Sequence, residues 1–446
     1  MTIWLPQPLE PGRPAYLALA DAIGDGIRLG QLRPGDQLPT HRRLADLLGV
    51  NVSTITRAYQ EAARRRFLGG EVGRGTFVLG VASEAALFAS QQRPQGGVID
   101  LSANVPPVLA QDPDLAKALG AVDPADAARW LHYPGAGDAL VHRQAATRWL
   151  ARRGVATSVE DLLVCAGAQH AMDTALSLFP DVEEVACETL VYPGLKAAAR
   201  RWQRRLHPLA MDGEGILPSA FETACRGGIR LAVFSPTLHN PTTVTMPLAR
   251  RLALVAIARK WDVLLVEEDV YGLLREDAPP PLAALAPERV IYLTGLSKTV
   301  APGLRLGYLA FPAGLRKRIK DVEAHTSWYV APLSMALATR WMEDGTAWRR
   351  LLAQRKELAA RHRLCRERLQ GYTWSGEACC PHLWITSPPG GSERFTQRAL
   401  EAGVVVVPAS VFAAGRLARD GIRLSIGAAT DRGALGDALG RLAGLR

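Results

Sequence analysis

The chain has 446 residues, 48% of them apolar and 22% charged, with a formal net charge of +10. That length gives room for two or three domains with large cores and excludes a small disulfide-stapled scaffold. The basic excess favours a polyanionic partner, although an Arg-rich composition alone would produce it. The six cysteines, among them Cys379 and Cys380, show no C-x-x-C pair and no metal-ligand spacing. Reduced thiols in a cytoplasmic protein are therefore expected, with no metal site. The N-terminus lacks a basic segment followed by an apolar one, and no run of about 18 uncharged apolar residues occurs, so a soluble, unexported protein is expected.

Residues 14–30 read as a helix, with Tyr16, Leu19, Ala20, Ile23 and Ile27 at helical spacing. A second helix is expected from Thr40, its N-cap, to Leu48, ended by Gly49. A third runs from about Ser53 to Arg66 and buries Ile55, Ala58, Tyr59 and Ala62. Short helix, Gly turn and longer helix have the spacing of a helix-turn-helix. Gly69–Val78 then reads as a hairpin with Gly73 and Gly75 at its tip and Arg74 between them, which makes a wing.

Leu38-Pro-Thr-His-Arg-Arg-Leu-Ala-Asp-Leu-Leu-Gly-Val50, Ala58-Tyr59 and Gly73-Arg-Gly-Thr-Phe-Val78 resemble the GntR-type winged helix. Asn51, Ser53, Thr54 and Arg57 open the third helix, where recognition helices present side chains to base edges and phosphates. The resemblance implies further DNA contacts from Arg42 and Arg74. Val52 stands where this family often has Arg, which replaces the usual guanine contact with a side chain suited to a thymine methyl. Solvated polar residues on a helical interaction module are the bland alternative.

Residues 81–98 read as a linker, polar and Pro/Gly-rich over 91–97. From Ile99 apolar strands alternate with helices, as in an α/β fold with a largely parallel sheet. Leu162–Cys165 is expected to be a strand, 166–169 a turn and His170–Phe179 a helix, so that the backbone N–H groups of Ala168 and Gln169 form an anion site. Leu231–Phe234 and the run from Val263 are further buried strands. The apolar run Val290–Leu293 leads into a polar loop holding Lys298, with Pro302-Gly303 and Arg305 beyond. A partly desolvated lysine condenses readily with a carbonyl, and a planar Arg suits a phosphate. Together they suggest an aldehyde cofactor bearing a phosphate, although a surface lysine and a salt-bridging Arg would have the same local composition. Gly421–Ile426 alternates as a half-buried strand carrying Arg423.

Gly295-Leu-Ser-Lys298, Arg305, His239-Asn-Pro-Thr-Thr243, Asp269-Val-Tyr271 and the Tyr192 segment, in this order of strand ends, resemble the fold-type I pyridoxal-phosphate enzymes. The resemblance implies that Lys298 carries the cofactor and that Ala168, Gln169, Ser297 and Arg305 hold its phosphate. It further implies that Tyr192 stacks on the ring, Asp269 pairs with the ring nitrogen, and Asn240 and Tyr271 bond the phenolic oxygen. Arg423 would grip a substrate carboxylate. Tyr133, displaced by about a residue from the family spacing, would reach the partner subunit's phosphate. Two positions depart from the family: Thr243 and Gly295 stand where Gly and Ser or Thr are usual, so Thr294 and Ser297 are the hydroxyls left for the phosphate.

A winged helix (1–80), a linker (81–98) and an aminotransferase-like unit (99–446, large part to about 320, smaller α+β part from about 321) resemble the MocR/GabR regulators. The resemblance implies a homodimeric, DNA-binding protein that uses pyridoxal 5′-phosphate to sense an amino acid, amine or B6 vitamer by Schiff-base exchange at Lys298. The alternative is a working aminotransferase with an appended DNA-binding domain. A third is a DNA-binding protein whose large domain is only structural.

Overall fold

The computed structural model describes residues 4, 14–28, 31–32, 36–64, 67–71, 75–78, 97–109, 112–133, 136–326, 330–415 and 419–446. Arg74 and most of the expected linker lie outside the described residues. The chain divides into two compact units, Met1–Ser90 and Gln91–Arg446.

In the first unit α1 (Ala15–Arg28), α2 (His41–Leu48) and α3 (Val52–Arg64) precede an antiparallel hairpin of β1 (Leu68–Glu71) and β2 (Gly75–Val78). Thr40 caps α2 by accepting a bond from the Arg43 N–H at 3.4 Å, and Gly49 ends it at φ 64°. Leu19, Ile23, Leu44, Ile55, Ala58, Tyr59 and Val78 share one buried core. The Tyr59 hydroxyl donates to the Pro39 carbonyl at 2.8 Å, and the N–H groups of Leu38 and Val78 bond the carbonyls of Thr76 and Asp36. The Leu-Pro connector is thus stitched both to α3 and to the wing, which fixes where α2 and α3 begin. The third helix starts one residue earlier than the sequence pattern suggests, because Asn51 rather than Val52 is the last residue outside it.

The second unit is built on a seven-stranded sheet. In chain order β3 (Ile99–Asp100) is followed by β4 (Leu162–Cys165), β5 (Glu184–Glu188) and β6 (Arg205–Leu209). A small hairpin, β7 (Met211–Asp212) with β8 (Gly215–Ile216), precedes β9 (Leu231–Phe234), β10 (Leu264–Glu268), β11 (Val290–Gly295) and β12 (Gly307–Ala310). The large sheet has the order β4-β12-β11-β10-β9-β5-β6, and only β12 runs antiparallel to its neighbours. Helices cover both faces, so alternate residues of one strand enter two different cores: Leu231 and Val233 one, Ala232 and Phe234 the other.

A smaller antiparallel sheet, β13 (Trp374–Ser375), β14 (Leu383–Thr386), β17 (Gly421–Leu424) and β16 (Val407–Pro408) in that order, completes the unit. The remaining strand, β15 (Val404–Val405), pairs with β3. Strand β17, expected to be half exposed, is buried at all four residues because it lies between β14 and β16. None of the six described cysteines is joined in a disulfide. No helix among the described residues is long and apolar enough to cross a membrane.

The sheet closes tightly where β12 begins. A Cβ on Gly307 would collide with the backbone of Gly167 and lie 2.8 Å from the Ala168 nitrogen. Gly307→Ala should therefore destabilise the fold by about 1–3 kcal/mol, read as a lowered thermal midpoint. Gly303→Ala, which meets nothing within 4 Å, should stay within about 0.5 kcal/mol of wild type.

Candidate functional site

Because the strands run in parallel, their carboxyl ends deliver Ala166, Thr189, Ser235, Asp269 and Lys298 to one edge of the sheet. The reversed strand β12 brings Arg305 to the same edge from its amino end. The helix after β4 spans Ala168–Ser177, starting two residues earlier than the sequence pattern suggests, because Gly167 at φ 94° makes the whole turn. Ala168 and Gln169 are therefore the first helical residues, with N–H groups that lack intrahelical acceptors.

Arg305 stands directly over this terminus, since a Cβ on Gly167 would lie 2.8 Å from its Nη2. Its Nη1 donates to Ser297 Oγ at 3.5 Å. A Cβ at Gly295 would lie 3.0 Å from the Leu306 carbonyl oxygen and 3.6 Å from the Ala168 nitrogen, so the strand end packs closely against the helix terminus. Thr294, expected to help with a phosphate, instead donates its hydroxyl to the Asp269 carbonyl at 2.9 Å. Tyr192, N-cap of the helix Pro193–Arg201, lies with its ring against Gly194 and near Gln169. Gln169 donates to the Gly194 carbonyl at 3.1 Å, while its Oε1 is buried without a hydrogen-bond partner.

Asp269 is sealed from water. Its Oδ2 accepts from Arg153 Nε at 2.8 Å and from the Tyr292 hydroxyl at 3.1 Å, whereas its Oδ1 is buried with no partner. Burial, then the nearby Asp269 charge, pushes the Tyr292 hydroxyl far above its ordinary range, so it stays a donor. Burial alone would lower the Arg153 pKa, but the carboxylates of Asp269 and Glu267 hold it above its usual value.

The Lys298 ammonium donates to the Asn104 carbonyl. Asn104 also donates through Nδ2 to the Tyr271 hydroxyl at 2.9 Å and meets His382 Nδ1 at 3.0 Å. Burial and then the Arg423 charge depress the His382 pKa well below 6.5, keeping the ring neutral. Arg423 is fully buried. It donates to Asn240 Oδ1 at 2.8 Å and to the Ser102 carbonyl, and stacks 4.8 Å from the Phe412 centroid. Thr243 has φ 65°, the left-handed region that explains why Gly is usual there. Its hydroxyl donates to Ser375 Oγ at 3.0 Å, tying the loop to β13.

The site thus gathers Ala168, Gln169, Tyr192, Asn240, Asp269, Tyr271, Ser297, Lys298, Arg305 and Arg423. Tyr133 remains 79% exposed. Asn104, Arg153 and His382 had no signal in the sequence: Arg153 sits in Ala-Arg-Arg-Gly at a helix end, where a surface residue would look the same. In the first unit Asn51, Ser53, Arg42 and Arg57 are exposed and Thr54 is partly so. Arg57 also stacks 4.2 Å from the Tyr16 ring centroid.

Residues 15–78 match the bacterial regulatory proteins of the gntR family, and 96–442 match aminotransferase class I and II. The chain is 32% identical over 416 residues to the HTH-type transcriptional regulator YdeF of Bacillus subtilis, covering 92% of this chain and 90% of that one. The chain belongs to the MocR/GabR type of transcriptional regulator. The regulator is also 26% identical over 372 residues to the pyridoxine biosynthesis transcriptional regulator PdxR of Corynebacterium glutamicum, with 80% of each covered. Its second unit shares its fold with the Pyrococcus horikoshii kynurenine aminotransferase (TM-score 0.72, 24% identity, 82% of this chain and 94% of that one).

Residues of this chain fit pyridoxal phosphate by their chemistry. One buried carboxylate oxygen lacks a protein donor, a helix terminus lies under a guanidinium at a position only Gly fits, and a lysine amine shares their sheet edge.

At the same edge Glu188 accepts the Ser235 N–H at 2.7 Å, and Ser235 Oγ donates to Glu268 at 2.9 Å. Burial raises the Glu188 pKa from 4.5 to about 8. From pH 4.5 up to about 8 the unfolded chain releases this proton while the folded one retains it. Stability contributed below that window is therefore lost as pH rises through it. Glu188→Gln keeps an acceptor for Ser235 and should gain on wild type by on the order of a few kcal/mol between about pH 5 and 8. Urea unfolding across that range would detect the gain, and a pH-independent difference would contradict it.

Proposed function

We propose that this regulator carries pyridoxal 5′-phosphate on Lys298 and alters its hold on DNA when an amino acid, an amine or a B6 vitamer exchanges at that lysine. The observation that carries the reading is the buried, unpartnered Oδ1 of Asp269 on the sheet edge that also holds Lys298 and the Gly167–Arg305 cradle. When bound, the cofactor supplies an aldehyde that links reversibly to amines.

The chain's own residues do the rest. Arg305, Ser297 and the first-turn N–H groups of Ala168 and Gln169 bind the phosphate, and Tyr192 covers the ring. Asp269 accepts from the ring nitrogen. Tyr271, oriented by Asn104, and Asn240 serve the phenolic oxygen. Arg423 selects effectors with a carboxylate, and the similarity to PdxR, a regulator of pyridoxine biosynthesis, supports a B6 vitamer as the other class. An effector that binds one conformation of the second unit better than another shifts the population of DNA-binding states by that differential affinity. We further propose a cytoplasmic homodimer, with Tyr133 reaching the partner's site. DNA is held through Arg42, Asn51, Ser53, Thr54, Arg57 and Arg74, with Val52 against a thymine methyl.

Borohydride treatment of the vitamin-saturated protein should fix a pyridoxyl group on Lys298, detected by peptide mass. Lys298→Ala should lose it and the visible absorption band while staying folded, with the denaturant midpoint of the cofactor-free wild type. A retained adduct in that variant would sink the assignment. On a promoter fragment, Arg42→Ala should weaken binding and reduce the salt slope by about 1, as for a lost phosphate contact. An unchanged slope would move Arg42 out of the interface.

A further inference from the structure

Behind Asp269 lies a buried charge cluster that the cofactor-binding residues do not account for. Arg153 donates to Asp269 Oδ2 at 2.8 Å and to Thr237 Oγ1 at 3.3 Å, and the pair is 6% and 0% exposed. Gly272 closes over it: a Cβ there would collide with both the carboxylate and Arg153 Nε. The pair is thus shut off from water where Gly272 packs beside the carboxylate and the guanidinium.

The other charges nearby make their short contacts elsewhere. Arg251, fully buried, donates to the carbonyls of Met246, Pro236 and Pro280 and to Thr237 at 2.8–3.1 Å. It lies 3.9 Å from Glu267, which accepts the N–H groups of Leu282 and Ala283 at 2.9 Å. Arg251 therefore answers Glu267, Arg153 answers Asp269, and Tyr292, which keeps its proton, adds a second donor to the same Asp269 oxygen.

A carboxylate facing a ring nitrogen raises that nitrogen's proton affinity through its negative charge. A permanent guanidinium on the other oxygen, in a medium of low dielectric, offsets most of that charge. We propose that Arg153, by sharing the Asp269 carboxylate, lowers the proton affinity of the cofactor's ring nitrogen and so favours amine exchange at Lys298 over proton removal from a bound amino acid. Removing a proton from carbon needs the protonated ring to take up the electron pair, whereas exchange of one amine for another does not. Arg153 is in this sense a positioning and tuning residue acting through Asp269, and its role rests on the reading that pyridoxal phosphate occupies the site.

The holoprotein reconstituted with cofactor labelled with 15N at the ring nitrogen tests this directly. The ring-nitrogen resonance of wild type should titrate with a midpoint below about pH 8. In Arg153→Gln the midpoint should rise by about one pH unit or more, a tenfold change in proton affinity. Arg153→Lys, which keeps the positive charge, should stay closer to wild type than to Arg153→Gln. An unmoved midpoint in Arg153→Gln overturns the proposal. If that variant does not fold, wild type decides alone: a nitrogen still protonated above about pH 9 overturns it. Failure of the cofactor reading itself is distinguishable, because then no labelled group is fixed on wild-type Lys298 by borohydride.

Discussion

A carboxylate enclosed in protein must be paired, since leaving an ion unsolvated costs several kcal/mol. Asp269, at the end of the central strand β10, imposes that requirement on its surroundings. It draws Arg153 in from the end of the helix Ala136–Ala151, Tyr292 from β11 and Gly272 from the following turn. These elements are far apart in sequence, so the ion pair holds strand, helix and turn in one register. The pair satisfies one oxygen of Asp269 and leaves the other without a protein donor. An architecture that spends two donors on Oδ2 and none on Oδ1 has the polarity of a binding site rather than of a purely structural salt bridge.

The other end of the site is organised by exchangeable bonds. Arg423 is held by Asn240 from the loop after β9, by the Ser102 carbonyl beyond β3, and by the ring of Phe412. Phe412 in turn offers its carbonyl to the Val191 N–H at 2.8 Å, next to Tyr192. A ligand carboxylate reaching Arg423 competes with protein acceptors already in place, so its gain is the difference between two sets of bonds. Such a site converts a small affinity difference into a choice between arrangements of the loops that supply those acceptors, and a difference of that kind is what any coupling to DNA must draw on.

Much of this is legible in the sequence. The three helices of the first unit show a 3.6-residue period with caps at Thr40 and Gly49, because one face of each must enter a small shared core. The order Tyr192, Asn240, Asp269, Tyr271, Lys298, Arg305 was legible because parallel strands deliver their carboxyl ends to one edge, so the sequence order of strand ends maps onto a single place. What was not legible has equally physical causes. The burial of β17 depends on neighbours 14 and 35 or more residues away, β16 and β14, so its alternating pattern suggested a solvated face that does not exist. Asn104 and His382 act through bonds that span 278 residues, and no local pattern encodes a partner at that separation. Thr294 has the right type of side chain for a phosphate, but its hydroxyl is taken by the Asp269 carbonyl.

Arg153 shows why residue type alone underdetermines chemistry. Two arginines in succession near a helix end, Arg152 and Arg153, go to opposite fates: Arg152 stacks 4.7 Å from the Trp348 ring centroid, and Arg153 turns inward to Asp269. The inward choice is set by Gly154 at φ 86°, which ends the helix, and by Thr237, whose hydroxyl is positioned by Arg251. A buried network with every cation matched to an acid tolerates the loss of neither partner. It therefore fixes the charge around Asp269 more firmly than a single hydrogen bond could, and that fixed charge, rather than the lysine, separates a site built to exchange amines from one built to break carbon–hydrogen bonds.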